Sequence, residues 1–249
     1  MPVTTERRGR ILVARLDRPE KRNAMNAEMT RGLDDAMNEL EDDDALWAGV
    51  LAGADGVFSA GSDLRDGQHN TTERGGPYGV VRRRRAKPLV AAVDGLAYGG
   101  GFEMVLACDL VVASRRASFA LPEVKRGLFA LYGGPLRAAH ALPLNVAREL
   151  ALTGDPLAAE RAERLGLVNV LCEEGRAVDE AVALAERICA NGPVAVRATL
   201  RAINEPIEAA DELAWEVSRE GAEAIFAAED TREGVAAFFE KRAPQWKGR

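Results

Sequence analysis

The sequence is poor in the residues that usually hold metals or form disulfides. It contains two histidines and three cysteines among 249 residues. His69 and His140 lie far apart and neither belongs to an HExxH-type motif, so we expect no metal site. Cys108, Cys172 and Cys189 are widely spaced and form no CxxC pair, which predicts reduced, mostly buried thiols in a cytoplasmic protein. We therefore expect carboxylates and backbone groups to carry the chemistry.

Three other features are missing as well. No apolar run approaches the roughly 20 residues of a bilayer span, so we expect no membrane association. The net charge is −6, which gives a nucleic-acid role no general support. Arg82–Arg85 is a basic run without interleaved aromatics, and such a run is usually a solvated helix face.

The most informative stretch present is 96–104, where three consecutive glycines follow an apolar run of strand length at 89–93. A strand–glycine–helix junction lets a ligand approach bare backbone and directs unpaired N–H groups toward it. No Walker Lys-Ser/Thr and no Rossmann spacing accompany these glycines. The geometry therefore favours an oxyanion over a phosphate, and Glu103 adds a carboxylate to the first helical turn. The alternative is a flexible turn before an ordinary helix.

The remaining pattern predicts an α/β core over 1–190 followed by a helical C-terminal region over 191–249. Asn26 is a suitable N-cap for a helix through about Leu40. The C-terminal region is predicted to be helical with breaks at Asn191-Gly192-Pro193, Glu205-Pro206 and Asp230-Thr231. The polar, glycine-rich segment 65–79 has no periodicity, which predicts a mobile loop or a lid over a site.

Five segments in this order resemble the crotonase superfamily, also called the enoyl-CoA hydratase/isomerase family. They are residues 16–26, 58–64, 95–103, 121–128 and 233–242. The resemblance covers nearly the whole chain. It implies an α/β fold of the crotonase (ClpP-like) type, a spiral of ββα repeats with a helical C-terminal trimerisation region. It also implies a homotrimer, or a hexamer built as a dimer of trimers, and an acyl-CoA substrate without a separate cofactor.

The resemblance implies four catalytic positions. The backbone N–H groups of Ser62 and Gly100 would form an oxyanion hole for the thioester carbonyl, which gains negative charge as an enolate forms. Glu103 and Glu123 fill both carboxylate positions of a hydratase, where a pair can hold one water and move its protons. The leading interpretation is therefore reversible addition of water to a 2-enoyl-CoA.

The resemblance also implies contacts with the CoA thioester. These fall on Lys21, Arg22, Ala24, Ala60, Ser62, Asp63, Leu64, Arg65, Gly100, Tyr132, Phe238 and Lys241. Phe238 and Lys241 are three apart on a predicted helix and so share a face, and in relatives that pair reaches the CoA of a neighbouring subunit. Core packing for Phe238 and a solvated charge for Lys241 are the alternatives.

The chain departs from the family pattern after the second glutamate. Tyr132 replaces part of a Pro-Gly-Ala-Gly-Gly-Thr-Gln-Arg-like segment that shapes the acyl pocket in relatives. Its hydroxyl could meet a polar acyl group, or its ring could fill a core gap. Three alternatives to hydration therefore stay open: an enoyl-CoA isomerase, a specialised acyl-CoA dehydratase, and a non-catalytic acyl-CoA binding protein.

Overall fold

A computed structural model describes residues 2–65 and 70–249 of the chain. The strands in these ranges are β1 (Val3–Arg8), β2 (Ile11–Leu16), β3 (Ala48–Gly53), β4 (Thr71–Thr72), β5 (Gly76–Pro77), β6 (Leu89–Val93), β7 (Leu96–Tyr98), β8 (Leu110–Ser114), β9 (Ser118–Ala120), β10 (Leu157–Ala158) and β11 (Val170–Cys172). The helices are α1 (Ala27–Asp42), α2 (Gly100–Leu106), α3 (Gly134–Ala141), α4 (Leu144–Thr153), α5 (Ala159–Arg164), α6 (Ala177–Cys189), α7 (Pro193–Ala227) and α8 (Glu229–Glu240).

The main sheet has the order β1-β2-β3-β6-β8-β11. β1 is antiparallel to β2, and the other neighbouring strands are parallel. Parallel strands are covered on both faces, which explains why all five residues of β6 are apolar and buried. Alternation along β2 sends Leu12 and Leu16 into the larger core, whereas Ile11 and Val13 belong to a second core that α6 covers.

A second, smaller sheet has the order β10-β9-β7. β7 pairs parallel with β9, so that Tyr98 lies opposite Ala120. β6 is followed at once by β7 and α2, and β8 by β9 and a short 3-10 turn, Pro122–Arg126. This strand–strand–helix succession is the repeat that the resemblance predicts. It brings the ends of β7 and β9, and the residues that follow them, side by side.

Helix α1 begins as the sequence predicts. The Asn26 side chain accepts a hydrogen bond from the N–H of Met29 at 2.9 Å, as an N-cap should. Leu33 and Leu40 are buried on one face of the helix.

The predicted break at Pro206 is wrong. α7 runs for 35 residues through Pro206. A proline removes one helical hydrogen bond and crowds the carbonyl one turn earlier. That carbonyl belongs to Ala202, and both residues are exposed, so water can satisfy it without ending the helix. None of the helices in the described ranges combines the length and apolar character needed to cross a membrane.

The described part of the polar segment, residues 70–79, is not the loop that the sequence predicts. Residues 66–69 of the predicted lid lie outside the described residues. From Thr71 to Pro77 the chain forms the β4–β5 hairpin. Thr72 donates its hydroxyl to Asp34 of α1 at 2.7 Å, and Tyr78 is 1% exposed. This part of the segment is therefore packed against the core, and sequence periodicity missed it because each strand has only two residues.

The interpretation of the arginine run as a solvated helix face is also wrong for two of its members. The Arg83 guanidinium is buried and pairs with Asp34 of α1. The Arg85 side chain is 6% exposed and binds both carboxylate oxygens of Asp109, at 2.5 and 3.0 Å. The run is not helical, so neighbouring arginines point to different sides of the chain. Only Arg82 and Arg84 of the run are exposed.

Candidate active site

The glycine run at the end of β7 is a place of close packing. α2 begins at Gly100, the second of the three consecutive glycines. A Cβ on Gly99 would lie 2.7 Å from Glu123 Oε1, one on Gly100 would lie 2.1 Å from Tyr78 Oη, and one on Gly101 would lie 2.3 Å from the Ser59 carbonyl oxygen. Real Cβ atoms do not approach other atoms so closely. The glycines therefore admit side chains and backbone from three neighbouring segments, and the flexible-turn interpretation is wrong.

The two predicted oxyanion donors lie on segments that touch. Gly61 has φ +93°, and a Cβ on it would lie 3.0 Å from the N of Gly100. On either side of Ser62, the Gly61 carbonyl accepts from Met25 and the Asp63 N–H donates to Met25, at 2.7 and 2.8 Å. Successive N–H groups of an extended strand face opposite sides, so the Ser62 N–H faces away from Met25. As the first residue of α2, Gly100 has no carbonyl one turn earlier to receive its N–H.

Glu103 is 2% exposed, and its carboxylate is held by the loop before α3. Its Oε1 accepts the backbone N–H of Tyr132 at 2.7 Å and that of Gly134 at 3.0 Å. Burial raises the pKa of Glu103, and the nearby charge of Glu123 raises it further, while the two backbone donors oppose the rise. Both donors use Oε1, so Oε2 remains for a water or a substrate.

Glu123 lies in the 3-10 turn that follows β9. Its Oε1 lies against Gly99, as the glycine contacts show. Its Oε2 is buried and finds no hydrogen-bond partner among residues 2–65 and 70–249. Burial raises the pKa of this carboxyl too. The fold thus brings two carboxyls with raised pKa values to the junction where the two predicted donors meet.

Tyr132 and Tyr78 form a wall beside these carboxyls. Their ring centroids are 5.0 Å apart with an interplanar angle of 87°, an edge-to-face contact. Tyr78 Oη lies 2.6 Å from Ser62 Oγ. Tyr78 was not among the predicted site residues, because it falls in the predicted loop. The sequence feature that could have indicated Tyr78 is that it is a lone aromatic residue in a polar, glycine-rich segment.

The family model described as Enoyl-CoA hydratase/isomerase matches residues 6–249. The chain belongs to the enoyl-CoA hydratase/isomerase family.

Individual relatives cover nearly all of the chain. Enoyl-CoA hydratase EchA19 of Mycobacterium tuberculosis is 36% identical, over 98% of this chain and 96% of its own. Mevalonyl-coenzyme A hydratase sidH of Aspergillus fumigatus is 38% identical, over 95% of this chain and 91% of its own. The crystal structure of carnitinyl-CoA hydratase from Mycobacterium avium matches with a TM-score of 0.95 at 42% identity, over 100% of this chain and 99% of the other. This likeness confirms the predicted crotonase fold with its helical C-terminal region.

Several of the CoA-contact positions that the family resemblance implies come together beside Ser62. The N–H of Ala60 donates to the carbonyl of Arg22 at 3.0 Å, which joins the 21–24 turn to the donor strand. Lys21, Arg22 and Ala60 are exposed, and Ala24 is partly buried. Their surface position leaves them accessible to a large ligand.

The residues after Ser62 divide into one internal and two exposed positions. Asp63 binds Arg18 Nη1 at 2.9 Å and accepts the N–H of Arg65 at 3.1 Å. Its pKa is lowered by these bonds against the effect of burial. Leu64 and Arg65 are exposed. The Asp63 carboxylate is thus occupied within the protein, whereas its two successors face outward.

Phe238 and Lys241 lie at the end of α8, which packs on the turn that carries Glu123. The Phe238 ring lies 4.4 Å from the Arg126 guanidinium and 5.5 Å from the Phe239 ring. Lys241 is exposed and ends the helix in a left-handed conformation, with φ +54°. Arg65 lies 5.4 Å from the Phe239 ring. The end of α8 is therefore close to the Ser62 loop within one chain.

A groove of about 990 Å³ opens beside Tyr132. It lies between the β4–β5 hairpin and α7. Trp215 and Phe226 of α7 provide aromatic surface, and Arg82 lies 4.7 Å above the Trp215 ring. Tyr132 thus borders both the carboxyl pair and a roomy, partly aromatic groove.

Proposed function

We propose that this protein adds water reversibly across the double bond of a 2-enoyl-CoA thioester. The observation that carries the proposal is the meeting of the buried Glu103 and the partly buried Glu123, whose Oε2 is enclosed, with two backbone donor positions at one glycine junction. Relatives named as hydratases over nearly the full chain support the same reaction class.

In this proposal the N–H groups of Ser62 and Gly100 bind the thioester oxygen. Attack of water at the β-carbon moves charge onto that oxygen, so fixed donors stabilise the transition state more than the ground state. Removing one donor of this kind typically lowers kcat by about 10²–10³. The N–H group at the start of α2 and the contact between the two donor segments support this assignment.

Glu103 and Glu123 would hold the water and move its protons. One carboxylate takes a proton from the attacking water, and the other carboxyl gives a proton to the α-carbon. In the reverse direction the same two groups exchange roles. Raised pKa values support this assignment, because a carboxyl must bind a proton near neutral pH to act as an acid.

We further propose that coenzyme A arrives as part of the substrate and that no separate cofactor is required. The exposed positions at Lys21, Arg22, Leu64 and Arg65 surround the donor strand, where the CoA end of the substrate would emerge. Phe238 and Lys241 are assigned to the same ligand because α8 lies beside the Glu123 turn.

The acyl group is proposed to point toward Tyr132 and the groove under α7. The groove is too large for a four-carbon chain alone, and its lining includes charged as well as aromatic residues. A polar or bulky acyl group therefore fits it. Dehydration of a specialised hydroxyacyl-CoA, the same chemistry in reverse, is the second candidate that this lining favours.

Assembly is proposed to be a homotrimer or a hexamer of paired trimers, formed through residues 191–249. Large apolar side chains on α7 lie exposed in the single chain, among them Ile203, Val217 and Phe226.

A cytoplasmic location is proposed because the three cysteines are all free thiols.

The test follows loss of the conjugated enoyl-thioester absorbance when crotonyl-CoA is mixed with wild type, Glu103→Gln and Glu123→Gln. We expect turnover by wild type and a loss of about 10²–10⁴-fold in kcat for each variant. Exposed Glu149→Gln on α4, which pairs with Arg161 away from the site, is the charge-matched comparison. A wild type that binds the thioester without hydrating crotonyl-CoA or any larger enoyl-CoA would contradict the proposal.

A further inference from the structure

Tyr78 is a buried side chain to which the proposed reaction gives no role. It is 1% exposed and follows the β4–β5 hairpin directly. A tyrosine hydroxyl in a protein interior usually has a hydrogen-bond partner, because leaving it unpaired costs free energy. Here that partner is Ser62 Oγ, at 2.6 Å. The bond connects the hairpin to the strand that carries one proposed oxyanion donor.

The same hydroxyl lies against the residue that carries the other donor. A Cβ on Gly100 would be 2.1 Å from Tyr78 Oη and 2.5 Å from its Cζ. The absence of a side chain at Gly100 therefore admits the phenol. The Tyr78 hydroxyl thus lies between the donor strand and the first turn of α2.

The ring of Tyr78 has a third contact. It meets the Tyr132 ring edge to face at 5.0 Å, and the Tyr132 N–H is one of the two groups that hold Glu103. One rigid side chain therefore contacts both donor residues and the residue that fixes a carboxyl. An error of about 1 Å in such an arrangement can cost about 10²-fold in rate.

Serine at position 62 completes the arrangement. Its backbone supplies the proposed N–H donor, and its hydroxyl forms a hydrogen bond with the Tyr78 hydroxyl. An alanine there would keep the donor and leave the phenol without this partner. The two side chains form a matched pair, and the rest of Tyr78 is enclosed by apolar core.

We propose that Tyr78 is a positioning residue that holds the Ser62 strand, the α2 N-terminus and the Tyr132 loop in the spacing that the reaction requires. This inference rests on the proposed function, since it assigns Tyr78 to that oxyanion hole. It acts through Ser62, Gly100 and Tyr132 and requires no contact with the substrate.

The first test replaces Tyr78 by Phe, which keeps the ring and removes only the hydroxyl. We expect kcat for crotonyl-CoA, or for the best enoyl-CoA found, to fall about 10–100-fold, with KM changed less than about threefold. An aryl-conjugated enoyl-CoA bound to wild type should show a red-shifted absorbance, because donors to the thioester oxygen polarise it. That shift should shrink in Tyr78→Phe, an effect that a role confined to stability would not produce.

The second variant is Ser62→Ala, which tests the same bond from the other side and keeps the backbone donor. We expect a smaller fall in kcat and a smaller loss of the red shift. The double variant should be no worse than Tyr78→Phe alone, because the Ser62 hydroxyl acts through Tyr78. If Tyr78→Phe does not fold, Ser62→Ala carries the test alone.

Tyr98→Phe is the matched control. Tyr98 Oη also pairs with a serine hydroxyl, that of Ser118 at 3.1 Å, on the smaller sheet. We expect Tyr98→Phe to have the same kcat and the same red shift as wild type. Wild-type kcat and red shift in folded Tyr78→Phe, or multiplied effects in the double variant, would overturn the inference. A wild type with neither hydration nor red shift would instead overturn the proposed function.

Discussion

The α/β core that holds the carboxyl pair and the long helix α7 differ in which side chains they bury and which they expose. In the α/β core, two buried arginine side chains have carboxylate partners: Arg83 pairs with Asp34, and Arg85 pairs with Asp109. On α7 the buried residues are Asp211 and Ser218, and large apolar residues face outward. These arginines of the core find their partners within one chain, whereas α7 presents apolar surface suited to a partner subunit.

The difference predicts where substitutions act. In the site region a change disturbs groups that water cannot replace, so it should alter the free energy of unfolding or the reaction rate. On α7 a similar change removes a contact that solvent already shares. Effects there should be found in assembly.

The largest difference in the free energy of unfolding is expected between variants of two carboxylates that each pair with an arginine. Asp34→Ala would leave the Arg83 guanidinium buried without its ion-pair partner, and breaking such a pair typically costs about 3–5 kcal/mol. Glu205→Ala on α7 removes an exposed pair with Arg201, worth about 0.3–0.5 kcal/mol. Urea unfolding of both variants measures this. Equal losses would mean that the two regions are not distinct in this respect.

Several features of the fold and of the site can be predicted from the sequence alone. The Asn26 cap, the buried strand at 89–93 and the family segments around Ser62, Gly100, Glu103 and Glu123 all carry local or motif signals. The fold and the meeting of the two carboxyls follow from them.

What the sequence could not predict depends on contacts between distant segments. The partners of Arg83 and Arg85 lie 49 and 24 residues away. Tyr78 meets Ser62 and Gly100 across the fold, and its hairpin has strands too short to show periodicity. The predicted break at Pro206 is wrong because it rests on local helix propensity alone. The helix is exposed there, so water can bond the carbonyl that the proline leaves unpaired and the helix continues.

An intermediate effect on the free energy of unfolding is expected when the charge of Glu103 is removed. Its pKa is raised in the folded protein, so folding favours the protonated form. The resulting stability is complete below the unfolded pKa of about 4.3 and is lost as pH rises through the folded value. Glu103→Gln keeps an oxygen acceptor for Tyr132 and Gly134 and does not ionise. It should therefore gain about 1–2 kcal/mol relative to wild type between pH 5 and pH 8.

Thermal unfolding at pH 5 and pH 8 measures this gain. Glu205→Gln on α7 is the comparison, and its change should stay below about 0.5 kcal/mol at both pH values. A Glu103→Gln variant that gains nothing at pH 8 would show that burial does not penalise this charge.

The smallest effect on folding, and the clearest on assembly, is expected from Ile203 and Ile207. They lie four residues apart on one face of α7 and are 56% and 44% exposed. Replacing both by Ser should change the unfolding free energy of a single chain by about 0.5 kcal/mol or less, since surface changes have little effect. If this face lies between subunits, the trimer should dissociate in sedimentation experiments at micromolar concentration. Leu152→Ser is the control, because Leu152 is 76% exposed on α4. Dissociation by Leu152→Ser alone would move the interface to α4, and a wild-type monomer would remove α7 from assembly altogether.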